Sequence, residues 1–214
     1  MQIAFPGPTG TLEGYIHLPQ NINSCPGVAV CHPHPQMGGD MNNSVVMGIC
    51  YALERSGIAS LRFNFRGVGK SQGTYDDGKG EIADALAALK FLTSHKEIEQ
   101  GNVGLAGYSF GAGIAMKAAL HDDLPIALSI VGHAQIDPND DLNRKPSLPM
   151  QFVIGEQDKL IPLDQLNNLS TKLTVSPEIH IIPGADHFFH GQEIETVELV
   201  AGFFLRWLKP LTQI

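Results

Sequence analysis

Asn102-Val-Gly-Leu-Ala-Gly-Tyr-Ser-Phe-Gly-Ala-Gly-Ile-Ala-Met-Lys-Ala-Ala-Leu120 is the stretch whose reading decides the fold. Asn102 to Ala106 is short and apolar and reads as a buried strand, while Ala112 to Leu120 is rich in Ala and Leu and reads as a helix. Between them lies Gly107-Tyr108-Ser109-Phe110-Gly111, a G-x-S-x-G pattern. A sharp strand-to-helix turn of this kind holds its serine in strained backbone angles, so small residues must flank it. The helix that follows offers free N–H groups and the positive end of its dipole to a developing oxyanion. Ser109 is therefore the candidate nucleophile.

A second copy of the pattern, Gly69-Lys-Ser-Gln-Gly73, lacks this context, because Gln72-Gly-Thr-Tyr-Asp-Asp-Gly-Lys-Gly80 reads as loop. Ser71 is expected to be a structural serine. Gly67-Val-Gly-Lys-Ser71 also resembles part of a phosphate-binding loop, but the first glycine of the full pattern would fall at Asn64, and no helix starts at Lys70-Ser71. Nucleotide binding through Gly67 to Ser71 is thus the weakest of the alternatives.

Working outward, short apolar runs alternate with helical patterns. Gly27 to Cys31, Ile58 to Asn64, Ile126 to Val131, Met150 to Ile154 and Glu178 to Ile182 read as strands. Val45 to Ser56 (ending at Gly57), Glu81 to Ser94, Leu163 to Leu173 and Glu193 to Leu208 read as helices. Near-continuous apolar strands alternating with helices predict a three-layer α/β/α sandwich around a mostly parallel sheet. Glu13 to Leu18 is expected to add an antiparallel edge strand. Ligands of such sheets bind beyond the carboxyl ends of the strands, so chemistry belongs in the loops after strands.

The chain has 214 residues. Against a prior of about 150 residues per domain, one domain spanning 1–214 is expected. Its formal net charge of −8 repels phosphate backbones, which argues against nucleic acid as a partner. Cys25, Cys31 and Cys50 form no C-x-x-C pair and read as reduced thiols. The opening Met-Gln-Ile-Ala-Phe-Pro-Gly-Pro has no basic region followed by an apolar one, and no run approaches a membrane span. The expectation is a cytoplasmic protein with no membrane partner, either a monomer or a homodimer.

A serine hydroxyl needs a base to take its proton and a third group to orient that base. In elbow-type enzymes the chain order is Ser, then Asp or Glu, then His. The strand Met150 to Ile154 runs into Gly155-Glu-Gln-Asp158, where Asp158 is the candidate acid and Glu156 the runner-up. The strand Glu178 to Ile182 runs into Pro183-Gly-Ala-Asp-His-Phe-Phe-His190, where His187 is the candidate base and His190 the alternative. Asp186 adjoins His187 but points the opposite way in an extended segment, so it is a poor orienting partner.

The N–H of Phe110 is one oxyanion donor. The second is expected in the loop after the first core strand, Cys31-His-Pro-His-Pro-Gln-Met-Gly-Gly39. Pro33 and Pro35 carry no N–H, so Gln36 offers the first free donor after them. His34, Met37, Tyr108, His133 and Phe188 are candidate walls of the substrate pocket. His32 and His34 could hint at a metal, but no nearby Cys or acidic set completes a ligand shell, and no metal or cofactor is expected.

Together, His32 to Gly39, Leu61 to Gly73, Gly107 to Gly111, Gly155 to Asp158 and Gly184 to His187 resemble the α/β-hydrolase superfamily. They are most similar to its small, lidless, dienelactone-hydrolase-like bacterial members. The resemblance implies the α/β-hydrolase fold without a lid domain, with Ser109, Asp158 and His187 as a triad and Phe110 and Gln36 as oxyanion donors. The polar connection from Val131 to Met150 is too short for a helical lid. Two departures stand out: Ser109 replaces the cysteine of dienelactone hydrolases proper, and His34-Pro35 replaces the more usual His-Gly. The expected activity is cleavage of small esters or thioesters of short acyl groups through an acyl-enzyme. The other alternative is a hydrolase-fold protein that binds a small ligand without turning it over.

Overall fold

The computed structural model describes residues 1–20, 23–134, 147–161, 166, 173 and 175–208. In chain order the strands are β1 (Gln2–Gly7), β2 (Gly10–His17), β3 (Cys25–Cys31), β4 (Ala59–Phe63), β5 (Ile98–Tyr108), β6 (Leu128–Val131), β7 (Met150–Gly155) and β8 (Glu178–Ile182). The helices are α1 (Ser44–Arg55), α2 (Lys79–Ser94), α3 (Phe110–His121) and α4 (Glu193–Trp207). The strands form one 8-stranded sheet in the order β1-β2-β4-β3-β5-β6-β7-β8. From β4 to β8 every neighbouring pair is parallel. The antiparallel contribution is β1 on β2 and β2 on β4.

The central strands are apolar because helices cover both of their faces. Every residue of β3, β4, β6 and β7 is buried. One core joins α2 and α3 to the sheet through residues such as Leu89, Leu105, Ala115 and Phe152. The other joins α1 and α4 through Ile49, Leu53, Val153, Phe203 and Phe204. The helix starts follow local chemistry. Asn43 caps α1, its side-chain oxygen accepting from the N–H groups of Val45 (3.0 Å) and Val46 (3.4 Å). At α2, the buried Glu81 reaches back to accept from the N–H of Gly78 at 2.9 Å.

Two expectations change. Glu13 to His17 falls within β2 and Leu18 just after it, but β2 is not the edge, since Gln2–Gly7 pairs outside it. That outer strand tolerates Pro6 because an edge position need not donate to a ladder. Its burial alternates with a period of two, Gln2, Ala4 and Pro6 facing out while Phe5 is buried between them. Strand β5 also begins earlier than Asn102, because Ile98 pairs with Cys25 across a bulge. The helix expected over Leu163 to Leu173 lies outside the described residues except at two positions: Leu166 is helical and buried, whereas Leu173 is partly buried and not helical. Most of the connection between Val131 and Met150 likewise lies outside them. No described helix is long and apolar enough to cross a membrane.

The chain leaves β3 to one side for β4, then crosses back over β3 to form β5 on the other side. Such a reversal opens a crevice at the carboxyl ends of the strands. Residues that follow β3, β5, β7 and β8 meet there.

Candidate active site

At the end of β5, Ser109 has φ +56° and ψ −121°, a backbone region that L-residues rarely adopt. Three features hold it there. Its N–H donates to the Val131 carbonyl at 2.8 Å, and its own carbonyl accepts from Ala112 at 3.0 Å. A Cβ on Gly107 would stand 2.2 Å from the Gly111 carbonyl oxygen, and one on Gly111 would stand 2.4 Å from that of His32. Neither site admits a side chain, which explains the glycine spacing. The bend projects the Ser109 hydroxyl at the start of α3, where first-turn N–H groups have no intrahelical acceptor.

The hydroxyl lies 3.0 Å from His187 Nε2, and His187 Nδ1 lies 2.7 Å from Asp158 Oδ2. Loops after three different strands thus bring the three predicted groups into one hydrogen-bonded line. His187 and Asp158 are both buried at 7% exposure, so this pair is shielded from water. Asp158 is fixed by its other oxygen, which accepts from Leu160 N–H (2.8 Å) and Ile161 N–H (3.0 Å). With its Nδ1–H given to Asp158, the neutral imidazole presents a lone pair on Nε2 to the hydroxyl proton. The arrangement can deprotonate Ser109 and hold the resulting imidazolium.

The runners-up have other work. Glu156 accepts from the Gly184 N–H at 2.9 Å and so ties the loop after β7 to the loop after β8. His190 is exposed and pairs with Asp186 at 3.0 Å. That bond, with the Phe188 and His190 N–H groups, holds the Asp186 carboxyl below its ordinary range. Ser71 is consumed structurally: its hydroxyl donates to the Asn64 carbonyl (2.6 Å) and accepts from the Glu13 N–H (2.9 Å). The first helix after it starts only at Lys79, so the phosphate-loop reading has neither its serine nor its helix.

The expected oxyanion donors differ in state. The Phe110 N–H has no acceptor among the described residues and stands one residue from the candidate nucleophile. The Gln36 N–H, by contrast, is not free as expected: it donates to His34 Nδ1 at 3.2 Å. Proline geometry shows that Gln36 carries the first N–H after the prolines, but not that the imidazole two residues back accepts it. Next to it, Met37 and Gly39 donate to the His34 carbonyl and Gly38 to that of Pro35, closing a tight turn.

Of the expected pocket walls, Met37 (83% exposed) and Phe188 (56% exposed) stand open at the rim. The His34 ring lies 4.8 Å from that of Phe110. The His133 ring lies beside Gly113 in α3, where an added Cβ would come within 3.0 Å of it. Tyr108 is a correction. It does not line an open pocket but is buried, with its ring stacked 5.8 Å from that of His187 and its hydroxyl donating to the His187 carbonyl at 3.0 Å. Strand alternation sends Tyr108 under the site while Ser109 turns into it. Burial pushes its phenol well above the ordinary value, so it stays neutral. Tyr75 was not foreseen. Its hydroxyl lies 3.2 Å from His34 Nε2, and nothing in the loop Gly73 to Gly78 marks it as a neighbour of the site.

His32 is buried, donating from Nδ1 to the Pro33 carbonyl (2.6 Å) and accepting the Phe65 N–H at Nε2 (3.1 Å). Burial lowers its pKa to about 4, so the ring is neutral with both nitrogens occupied. Among the described residues, no three His, Cys, Asp or Glu side chains gather in a way that could hold a metal ion. Burial likewise raises the Cys50 thiol to about 12 and that of Cys31 still further, which leaves both inert.

Comparison with known proteins agrees with this architecture. A serine hydrolase homologue from Coxiella burnetii is 37% identical, with a TM-score of 0.84 over 94% of this chain and 96% of that one. A serine hydrolase without a lid from Xanthomonas campestris is 30% identical, with a TM-score of 0.86 over 98% and 95%. An uncharacterized protein of Rickettsia prowazekii is 37% identical over 95% of this chain and 88% of its own. Fold and relatives together define an α/β hydrolase. The dienelactone hydrolase family model matches residues 71–202, and the chain belongs to that family.

Proposed function

We propose that this hydrolase cleaves carboxylic esters or thioesters of small or short-chain acyl groups, with Ser109 as nucleophile, His187 as general base and acid, and Asp158 as the group that orients His187. The observation that carries this reading is the unbroken line from Ser109 Oγ to His187 Nε2 (3.0 Å) and from His187 Nδ1 to Asp158 (2.7 Å). Attack by the Ser109 oxygen on the acyl carbon transfers the hydroxyl proton to His187. The imidazolium then protonates the leaving alkoxide or thiolate as the carbonyl reforms, giving an acyl-enzyme. A water molecule, deprotonated by His187, releases the acid and restores the serine.

The Phe110 N–H and the Gln36 N–H are the donors proposed for the tetrahedral oxyanion. Removing one such donor typically costs about 10²–10³ in rate. Phe188, whose ring lies 5.5 Å from that of His187, and Met37, exposed in the loop that carries Gln36, are the apolar side chains proposed to meet a short acyl or alkyl chain. The lidless relative at 30% identity supports an open site of this kind.

Turnover of p-nitrophenyl acetate and a matching thioester tests the proposal. Ser109→Ala and His187→Ala are expected to abolish turnover, and Asp158→Asn to lower kcat about 10⁴-fold. Activity lost with Ser71→Ala but kept with Ser109→Ala would overturn the assignment.

A further inference from the structure

The loop after β3 contains an arrangement that the line of Ser109, His187 and Asp158 does not use. Gln36, Met37, Gly38 and Gly39 all carry N–H groups. Those of Met37, Gly38 and Gly39 close the turn on backbone carbonyls, whereas that of Gln36 goes to a side chain, His34 Nδ1. The same imidazole meets, at a tilt, the ring of Phe110, whose N–H is the other proposed oxyanion donor, with ring centroids 4.8 Å apart. One ring therefore touches both donor residues. The loop also lies directly against the elbow, since the Cys31 and His32 carbonyls block any side chain on Gly111.

The ring is itself held from behind. With Nδ1 accepting from Gln36, the neutral imidazole carries its proton on Nε2, which donates to the Tyr75 hydroxyl oxygen at 3.2 Å. Tyr75 sits on a braced loop, because the buried Glu81 carboxylate accepts from the N–H groups of Asp76 and Gly78, each at 2.9 Å. The Tyr75 ring also meets Phe110, 6.0 Å away. Contacts thus run from Tyr75 through His34 to the Gln36 N–H, on a loop that a buried carboxylate of α2 braces at the residues after Tyr75.

We infer that His34 is a positioning residue for the oxyanion site: in the resting enzyme its Nδ1 holds the Gln36 N–H, and it shares that N–H with the substrate oxygen as negative charge develops there. At 3.2 Å the resting bond is at the long end of the range, so a charged acceptor competes with it readily. The ring spares the free enzyme an unsatisfied donor and keeps the turn from collapsing around a different partner. Tyr75 sets the tautomer that makes this possible. The inference rests on the proposed esterase mechanism and adds a role to two residues that do not touch the reacting atoms.

Three substitutions separate the parts of the ring. His34→Asn keeps an acceptor oxygen close to the position of Nδ1, while His34→Gln places its polar end near Nε2 and leaves the Gln36 N–H without a partner. Tyr75→Phe deletes one hydroxyl and is the variant least able to disturb folding. With p-nitrophenyl acetate, His34→Gln is expected to lower kcat at least about tenfold with KM little changed, up to the 10²–10³ of a lost donor. His34→Asn should recover most of that loss, and Tyr75→Phe should fall between. The affinity of a boronic acid that forms a tetrahedral adduct on Ser109 should fall in parallel with kcat, while the melting temperatures of the three stay together.

Equal kcat in the Asn and Gln variants, or losses in KM alone, would overturn the role of His34. Wild-type kcat in Tyr75→Phe would overturn that of Tyr75. Ser109→Ala distinguishes the two levels: if it stays active the esterase mechanism itself fails, whereas a dead Ser109→Ala beside an unaffected His34→Gln removes only the present inference.

Discussion

At the scale of single residues, backbone strain and close approach decide most of what the site can tolerate. Gly111→Ala places a methyl group 2.4 Å from the His32 carbonyl oxygen, a backbone atom that cannot swing away. The variant is expected to lose stability by about 1–3 kcal/mol, measured by urea denaturation, and to lose activity with it. A wild-type denaturation midpoint would mean that the elbow and the β3 loop are less tightly apposed than described. Tyr108→Phe removes the hydroxyl that holds the His187 carbonyl at 3.0 Å. A loss of about 1–2 kcal/mol in stability is expected there, because a buried acceptor is left unsatisfied. The strained turn at Ser109 was legible in the sequence, because only a turn that excludes side chains needs glycines at 107 and 111. The engagement of Gln36 was not. Counting prolines finds which N–H groups exist, but only three-dimensional placement shows what each one already bonds to.

At the scale of elements, the sheet accepts helices through matched large and small residues. A Cβ on Gly104 of β5 would lie 2.5 Å from the Phe204 ring of α4, so the strand keeps a glycine where the helix inserts an aromatic. Phe204→Ala should cost about 3–5 kcal/mol by chemical denaturation, and a cost near zero would contradict that packing. Beside the site, Arg66 and Asp84 form a buried two-pronged pair, with Nε to Oδ2 at 2.9 Å and Nη2 to Oδ1 at 2.8 Å. That carboxylate also accepts the Arg66 N–H. Asp84→Ala leaves a buried guanidinium unpaired and should cost about 3–5 kcal/mol. The parallel strands were readable because burial on both faces makes them continuously apolar. Strand β1 was not, because Gln2-Ile-Ala-Phe-Pro-Gly7 is short, carries a proline and gains its strand character only by pairing with β2.

At the scale of the whole molecule, buried neutral groups give the fold a pH dependence. The pKa of His32 is lowered by burial from its ordinary value of 6.5 to about 4. The unfolded chain therefore binds a proton at this residue that the folded one refuses. Its contribution is present in full above about pH 6.5 and fades as the pH falls toward 4, by roughly 3 kcal/mol in all. Urea denaturation at pH 7 and pH 5 should show stability falling on acidification, with a shallower fall in His32→Asn; equal slopes would contradict this origin. The sequence conveyed the order of layers and the three loops that meet at the rim, because topology sends the ends of β5, β7 and β8 to one side of the sheet. It did not convey which polar groups support them, since Tyr75, Glu81 and Tyr108 act through contacts between segments far apart in the chain.

The central claim is that Ser109 carries the reactive oxygen. Intact-mass and peptide mapping after treatment with a fluorophosphonate tests it most directly. A single adduct on the Gly107 to Gly111 peptide, absent from Ser109→Ala and from His187→Ala, is the predicted result. An adduct on Ser71, or unchanged labelling of Ser109→Ala, would contradict it.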